Sequence, residues 1–498
     1  MRTILFAAVL FAANAHAQVT GSSNSSTLGS GTGTSVSIDY FALATNPSNL
    51  GWQSRFYNHK LAFKVFDFSV LAATPVTPRY LYNSAMNGNI VNKTLVESFY
   101  SYKDGGAGFD TTFLLDDRYE LRDLLTKQSS LRYNRILVGA SYVTKSHGTF
   151  AVQISNQING TIQLSERTAN MLTLGKTNPY FDSLVLSTGE VIANNSSAYT
   201  NETLGKVVHA FSNDSLTIGE QLDGSYFKGM RTRNFSIGWG NGYKSFVPGW
   251  ETFIGATLNI IQGQQFYDWE SKDGEFYMRN AKDGIVENTL RMKNPGLGAS
   301  VNLGLSFLKT EQLIVGVSIN NLGFIRWKDQ GESSTSEYNS VNDKNMFHYP
   351  FGTSKDMSFY DQWGESNMFI AASPIDNYEE SGSFTSFTAA TLNLGAQWKL
   401  NKAISFSSDV IVPLNPNAVG SIRSPYFSLG AQAATRVIGI SAGVNNNFNK
   451  LNIPLGITFG SVYSALSFTV ATNDFVVLFQ DKGTRNNSLA VGMVWRLF

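Results

Sequence analysis

The 498-residue chain carries 38 basic and 37 acidic side chains, for a net charge of +1, and has no cysteine. That balance argues against a polybasic nucleic-acid binder and an acidic disordered tail, and the missing thiols exclude a disulfide scaffold, thiolate metal sites, a lipoprotein anchor and a cysteine nucleophile. Charged residues make up 15% of the chain and aromatic ones 13%, with 44 glycines, so either much of the surface avoids water or uncharged Asn, Ser and Thr cover it.

Residues 1–17 have the layout of a signal peptide. Met1-Arg2 supplies the charge, Ile4 to Ala13 the apolar run, and Ala15-His16-Ala17 the small-x-small cleavage pattern before Gln18. Export follows from it. No later stretch reaches the roughly 18 to 20 apolar residues of a membrane helix. A membrane-embedded chain must then be a closed barrel, which satisfies its backbone polar groups within the sheet.

Fourteen segments from Leu61 onward alternate with a period of two. From Leu297 to Phe307 the odd positions are Leu, Ala, Val, Leu, Leu and Phe, and the even ones Gly, Ser, Asn, Gly and Ser. The same pattern runs through Leu61–Leu71, Ile136–Tyr142, Phe150–Ile154, Phe235–Trp239, Trp250–Ile260, Leu313–Ile319, Leu392–Leu400, Ile404–Val412, Phe427–Ala433 and Ile438–Val444. It closes with Leu455–Ser461, Ser464–Thr472 and Ser488–Phe498. A β-sandwich also alternates, but here short connections alternate with long ones, the latter near 72–133, 159–232, 261–296, 321–390, 413–424, 447–454 and 473–487. Tight turns at one end and long extracellular loops at the other predict an all-β fold, a transmembrane antiparallel barrel of about fourteen strands.

Three places interrupt this count. Arg118 to Gln128 carries Leu121, Leu124 and Leu125 on one helical stripe. Asn159-Gly160 is a two-residue hairpin signal, which makes Thr161 to Leu164 a strand projecting above the barrel. Phe475 to Phe479 has strand-like composition, while Asp474 is placed to cap a short helix there.

The chain closes on Gly492-x-x-Trp495-x-Leu497-Phe498, the spacing of a terminal strand signal read by the barrel-insertion machinery, although Ala490 stands where a polar residue is usual. Trp239, Trp250, Trp398 and Trp495 fall at or near strand ends, the positions of an interfacial girdle, although a sandwich core wants tryptophan nearly as much. Gly439-Ile440-Ser441-Ala442-Gly443 matches the nucleophile-elbow pattern, yet that motif needs a strand-to-helix turn and a histidine downstream, and the last histidine is His348. The histidines show no zinc-site spacing, and Asp376, Glu379 and Glu380 read as solvated loop charge rather than a glycosidase cleft. No enzyme, cofactor or metal is expected.

Ala42-Leu43-Ala44-Thr45-Asn46-Pro47-Ser48-Asn49-Leu50-Gly51, after a Gly/Ser/Thr-rich lead-in, resembles the N-terminal hatch of the FadL-like outer-membrane β-barrel superfamily, with Ser48 where Ala is usual. Asn321-Leu322-Gly323-Phe324-Ile325-Arg326-Trp327 is similar to a signature of an uncharacterised Bacteroidetes-type family within it. The resemblance implies residues 18–60 as a hatch or plug holding Asn46, Pro47, Asn49, Leu50 and Gly51, residues 61–498 as the barrel in the outer membrane of a Gram-negative bacterium, and passage of small hydrophobic solutes. The alternative is a PorV-like barrel that serves a secretion system as a structural or assembly partner through its long loops. The expected partners are outer-membrane lipid, the insertion machinery and, by one reading or the other, hydrophobic small molecules or a secretion partner.

Overall fold

The computed structural model describes residues 24–56, 58–76, 122, 126–144, 146–174, 179, 181–194, 207–211, 222–245, 248–273, 275–282, 296–328, 334–341, 383–401, 403–422, 424–447, 450–460, 464–479 and 482–498. The signal peptide lies outside them. So do Asp376, Glu379 and Glu380, and most of the helix expected over 118–128.

Fourteen strands form the wall. They are β1 (Leu61–Val76), β2 (Ser129–Val143), β3 (Thr149–Gln163), β4 (Tyr226–Tyr243), β5 (Glu251–Lys272), β6 (Gly296–Lys309) and β7 (Leu313–Lys328). The series continues as β8 (Thr391–Lys399), β9 (Ile404–Pro413), β10 (Tyr426–Ala434), β11 (Ile438–Asn447), β12 (Leu455–Phe459), β13 (Leu466–Thr472) and β14 (Lys482–Leu497). Each is antiparallel to the next, and β14 returns to β1 with Leu61 opposite Leu497 and Leu71 opposite Ser488. The sheet therefore closes on itself and leaves no edge.

Alternation decides what each face meets. On β6, Leu297, Val301 and Leu303 are exposed while Ser300, Asn302 and Ser306 are buried. The exposed set continues around the wall through Ile237, Leu258, Ile260, Phe427, Leu429 and Ile440. An outward face this apolar is a lipid-facing one, and the fold is a transmembrane antiparallel barrel. Among the described residues no helix is long and apolar enough to cross a membrane.

The wall is uneven in height. Strands β8 to β11 have 9 or 10 residues, whereas β4 has 18 and β5 has 22. Residues 261–272 and 321–328, expected in loops, extend β5 and β7. Residues 261–272 lack a clean two-residue alternation of burial, and in β7 the alternation continues but changes parity at Asn321. The expected hairpin at Asn159-Gly160 is likewise corrected. Both residues lie inside β3, opposite Arg132 and Leu131 on β2 and Met230 and Gly229 on β4, and two flanking ladders outweigh one local turn preference. Phe475–Phe479 is a 3-10 helix whose Val476 N–H donates to Asp474 Oδ1 at 3.2 Å. The connection between β3 and β4 holds a helix (Glu166–Leu174) and a three-stranded sheet (Ser183–Leu186, Val191–Ala193 and Val207–Phe211). Ser441 lies within β11, opposite Gln432 and Gly456, on a continuous strand rather than a strand-to-helix elbow.

Candidate functional site

Residues 24–56 lie against the inward face of the wall. They form α1 (Ser25–Leu28), a 3-10 turn (Asp39–Ala44) and α2 (Asn49–Phe56), with Asn24 capping α1 by accepting from the N–H groups of Ser26 and Thr27. A segment so poor in regular structure cannot satisfy its own backbone, and the inward face of the wall does so instead. Asp409 on β9 accepts from the N–H groups of Gly33 and Thr34 at 2.6 and 3.0 Å. Tyr426 on β10 donates to Gly31 O at 2.7 Å, and Asn302 on β6 to Leu43 O at 2.6 Å. Ser318 and Asn320 on β7 both donate to Thr45 O at 2.7 Å. Ser25 Oγ donates to Asp67 on β1, and Thr32 Oγ1 meets Ser407 Oγ at 2.7 Å.

The stretch Asn46 to Gly51 is the centre of this seat. Asn46 Oδ1 accepts from Ser48 N and Oγ at 3.2 and 2.6 Å, closing an Asx-type turn, and its amide donates to Ser306 Oγ at 3.2 Å. Ser48 Oγ also reaches Ser306 Oγ at 2.6 Å, a contact that alanine could not make. Asn49 donates to Thr34 O and Ser37 O at 3.0 Å each, tying the start of α2 to the chain before it. Leu50 is buried with Tyr40, Phe41 and Leu43. Pro47 lies against Gly255, and a Cβ on Gly304 would stand 2.8 Å from Ser48 N, one on Gly316 2.7 Å from Asn46 Nδ2, and one on Gly430 2.8 Å from Ser30 O. Glycines on β5, β6, β7 and β10 thus let backbone approach backbone.

One ionic cluster fixes the segment at the short-turn end. Asp39 holds a left-handed backbone (φ 55), a conformation that costs a non-glycine residue about 1 kcal/mol or more. Its Oδ1 accepts from Gln53 Nε2 at 2.6 Å and lies 2.8 Å from His59 Nε2, and its Oδ2 is 3.1 Å from both Nε and Nη2 of Arg496 on β14. Asp39 is fully buried and Arg496 nearly so. Burial opposes ionisation of this carboxyl, but the charge of Arg496 and the contacts of His59 outweigh it and bring its pKa down from 3.8 to about 2.

The terminal residues divide between the two faces. Gly492 points inward, where a Cβ would strike Ser25 and Asp67, whereas Trp495, Leu497 and Phe498 are exposed. Trp239, Trp250, Trp398 and Trp495 all stand at the short-turn end of the wall. Trp239 donates to His147 O at 2.6 Å, Lys309 Nζ lies 5.6 Å from the Trp250 ring, and Trp398 and Trp495 pack on Phe406 and Phe63.

Asp39, Asp67, Asp409, Arg496 and Arg132 escape the motif search. The wall residues among them were still visible in principle, as isolated charges on the small, polar face of alternating strands.

Above the seat a cavity of about 50 Å³ opens between β2–β5, β7, residues 388–391 and the 419–422 loop. Asn321 shapes one side. Its left-handed backbone (φ 55) coincides with a register shift between β6 and β7. Before it the even residues Ile314 to Asn320 point inward; after it Ile325 and Trp327 do. Trp327 then packs on Phe266 and Phe384, and a Cβ on Gly263 or Gly296 would collide with its ring. The cavity is lined by the apolar Ile261, Ile325, Val419 and Ile422 and by the polar Arg132, Asn159, Thr232 and Asn234.

Comparison with solved structures shows similarity along the whole chain at very low identity. The chain is similar to the Pseudomonas putida toluene transporter TodX, at 9% identity over 96% of this chain and 98% of that one, with a TM-score of 0.40. It is similar to a Pseudomonas aeruginosa FadL homologue at 10% identity over 97% and 100%, with a TM-score of 0.42, and to the monoaromatic hydrocarbon channel CymD at 8% over 95% and 97%, with a TM-score of 0.41. No curated protein matches the sequence. Residues 81–472 match the model of a family of unknown function, DUF5723, and the chain therefore belongs to that family.

Proposed function

We propose that this barrel sits in a bacterial outer membrane and passes small hydrophobic solutes through its lumen, with residues 24–56 as a hatch that must yield for passage. The observation that carries this reading is the character of the seal. The segment crosses the lumen on hydrogen bonds, one ionic cluster and glycine contacts, and such non-covalent contacts can be exchanged for others. A cavity lined in part by apolar side chains lies among the inward residues of the same wall. The resemblance of Asn46 to Gly51 to a FadL-like hatch points the same way. Outer-membrane lipid then covers the outward face, and the insertion machinery reads the strand that ends in Trp495, Leu497 and Phe498.

The cysteine-free chain provides a direct test. Thr32 and Ser407 touch through their hydroxyls, so the double variant Thr32→Cys/Ser407→Cys places two thiols within bonding reach. In vesicles with a lipopolysaccharide leaflet, uptake of a small hydrophobic reporter should fall to the protein-free rate on oxidation and recover on reduction. Uptake that oxidation leaves unchanged would show that passage does not require the hatch to move. No uptake beyond protein-free vesicles in either state would remove the transport reading altogether.

A further inference from the structure

We infer that the cavity above the hatch is a binding site for a small oxyanion, of carboxylate or phosphate type, held by Arg132. The guanidinium reaches the cavity from the inward face of β2. Its Nε donates to Asn159 Oδ1 at 2.8 Å and its Nη2 to Gly420 O at 2.7 Å. These two bonds anchor the plane of the group. Both acceptors are neutral, and among the described residues no carboxylate pairs with Arg132, while its Nη1 is buried with no hydrogen-bond partner. A partly buried cation without a counter-charge is costly unless something supplies one, and the planar fork of arginine matches the oxygens of a carboxylate or phosphate.

Two more cavity-lining atoms lack partners. Asn234 Oδ1 on β4 and Thr391 Oγ1 on β8 are both buried and unbonded among the described residues. Unsatisfied polar atoms from three strands therefore converge on one space, a pattern that native interiors avoid unless water or a ligand completes it. Arg132 Nη1 and Thr391 Oγ1 offer a cation and a hydroxyl donor, which suits an oxyanion better than a hydrocarbon, while Asn234 Oδ1, an acceptor, can take the hydroxyl proton of a monoprotonated phosphate. Size narrows the class further. A cavity of about 50 Å³ has room for roughly four water-sized groups, the scale of acetate or inorganic phosphate. Ile261, Ile325, Val419 and Ile422, which also line the cavity, suit the methyl group of acetate.

The site can be tested on the full chain in detergent, where no transport is needed, so failure here and failure of the hatch reading are separate results. Equilibrium dialysis with labelled acetate and labelled phosphate should show saturable binding of one anion per chain for at least one of them. Binding of acetate alone assigns the site to carboxylates, and binding of phosphate alone to phosphates. Unlabelled acetamide, which has the shape of acetate without its charge, should compete at least tenfold more weakly; this comparison uses the unaltered protein and does not depend on any variant folding. Arg132→Met should weaken binding at least tenfold, and Arg132→Lys by less. The inference is overturned if neither anion binds saturably, if acetamide competes as well as acetate, or if Arg132→Met binds as tightly as the unaltered chain.

Discussion

The lower and upper halves of the lumen are built from the same strands and treat charge in opposite ways. In the lower half Asp39 is surrounded by Gln53, His59 and Arg496, and Asp409 receives two backbone N–H groups. In the upper half Arg132 has an amide and a carbonyl, with one nitrogen left over. The wall changes with it. Glycines at the lower level admit the backbone of residues 29–51, whereas above it Trp327, Phe266 and Phe384 fill space with their rings. The Asp39 charge is answered from within the chain and holds residues 24–56 until its contacts are exchanged, whereas the Arg132 charge has no carboxylate partner among the described residues and is open to an anion from outside.

The sharpest way to break this contrast is to remove the anchor of the lower half. Asp39→Ala leaves Arg496 buried without its partner, which should cost about 3–5 kcal/mol and release residues 24–56 while the barrel persists. Limited proteolysis in detergent should then cut within 24–56, and continued protection of that segment would show that the cluster does not hold it. Gly304→Val attacks the same seat through shape. Its side chain would drive into Asn46 and Ser48, at a cost of up to about 3 kcal/mol, and should give the same cleavage with the Asp39 cluster intact. Wild-type melting behaviour in that variant would mean that the seat gives way more easily than its geometry implies.

A milder perturbation is acid. Because Asp39 is lowered from 3.8 to about 2 in the folded chain, its stabilising contribution is complete above pH 4 or so and is lost as the pH falls through the folded value. The difference amounts to roughly 2 kcal/mol. Pepsin sensitivity of residues 24–56 should therefore stay low from about pH 5 to 4 and rise between about 4 and 2, and Asp39→Asn should remove most of that step. A step that persists in the variant would assign the acid response to another group.

The sequence alone determined the membrane-crossing part of this protein. Two-residue alternation set which face of each strand meets lipid, and alternating connection lengths separated a barrel from a sandwich. Both signals are local, arising from side chains one or two positions apart and from the span of each loop. The extended part of β5 had no clean signal of this kind, and that of β7 was hidden because Asn321 reverses the parity of the alternation. Asn159-Gly160 misled for a related reason: a turn preference is a property of two residues, and the ladders that override it belong to strands far away in the chain.

The tertiary structure alone decided the interior. Nothing in the sequence near Asp39 announces that Arg496 closes on it, since 457 positions separate them and the contact exists only because β14 pairs with β1. The small residues of the inner face were legible as a pattern, but their purpose, to let a second stretch of backbone lie against them, appears only when residues 24–56 are in place. Asn321 shows both sides at once. Its motif could be read off the chain, yet its work is to reverse the alternation and turn Trp327 into the lumen, a consequence that one left-handed residue produces only within a paired strand.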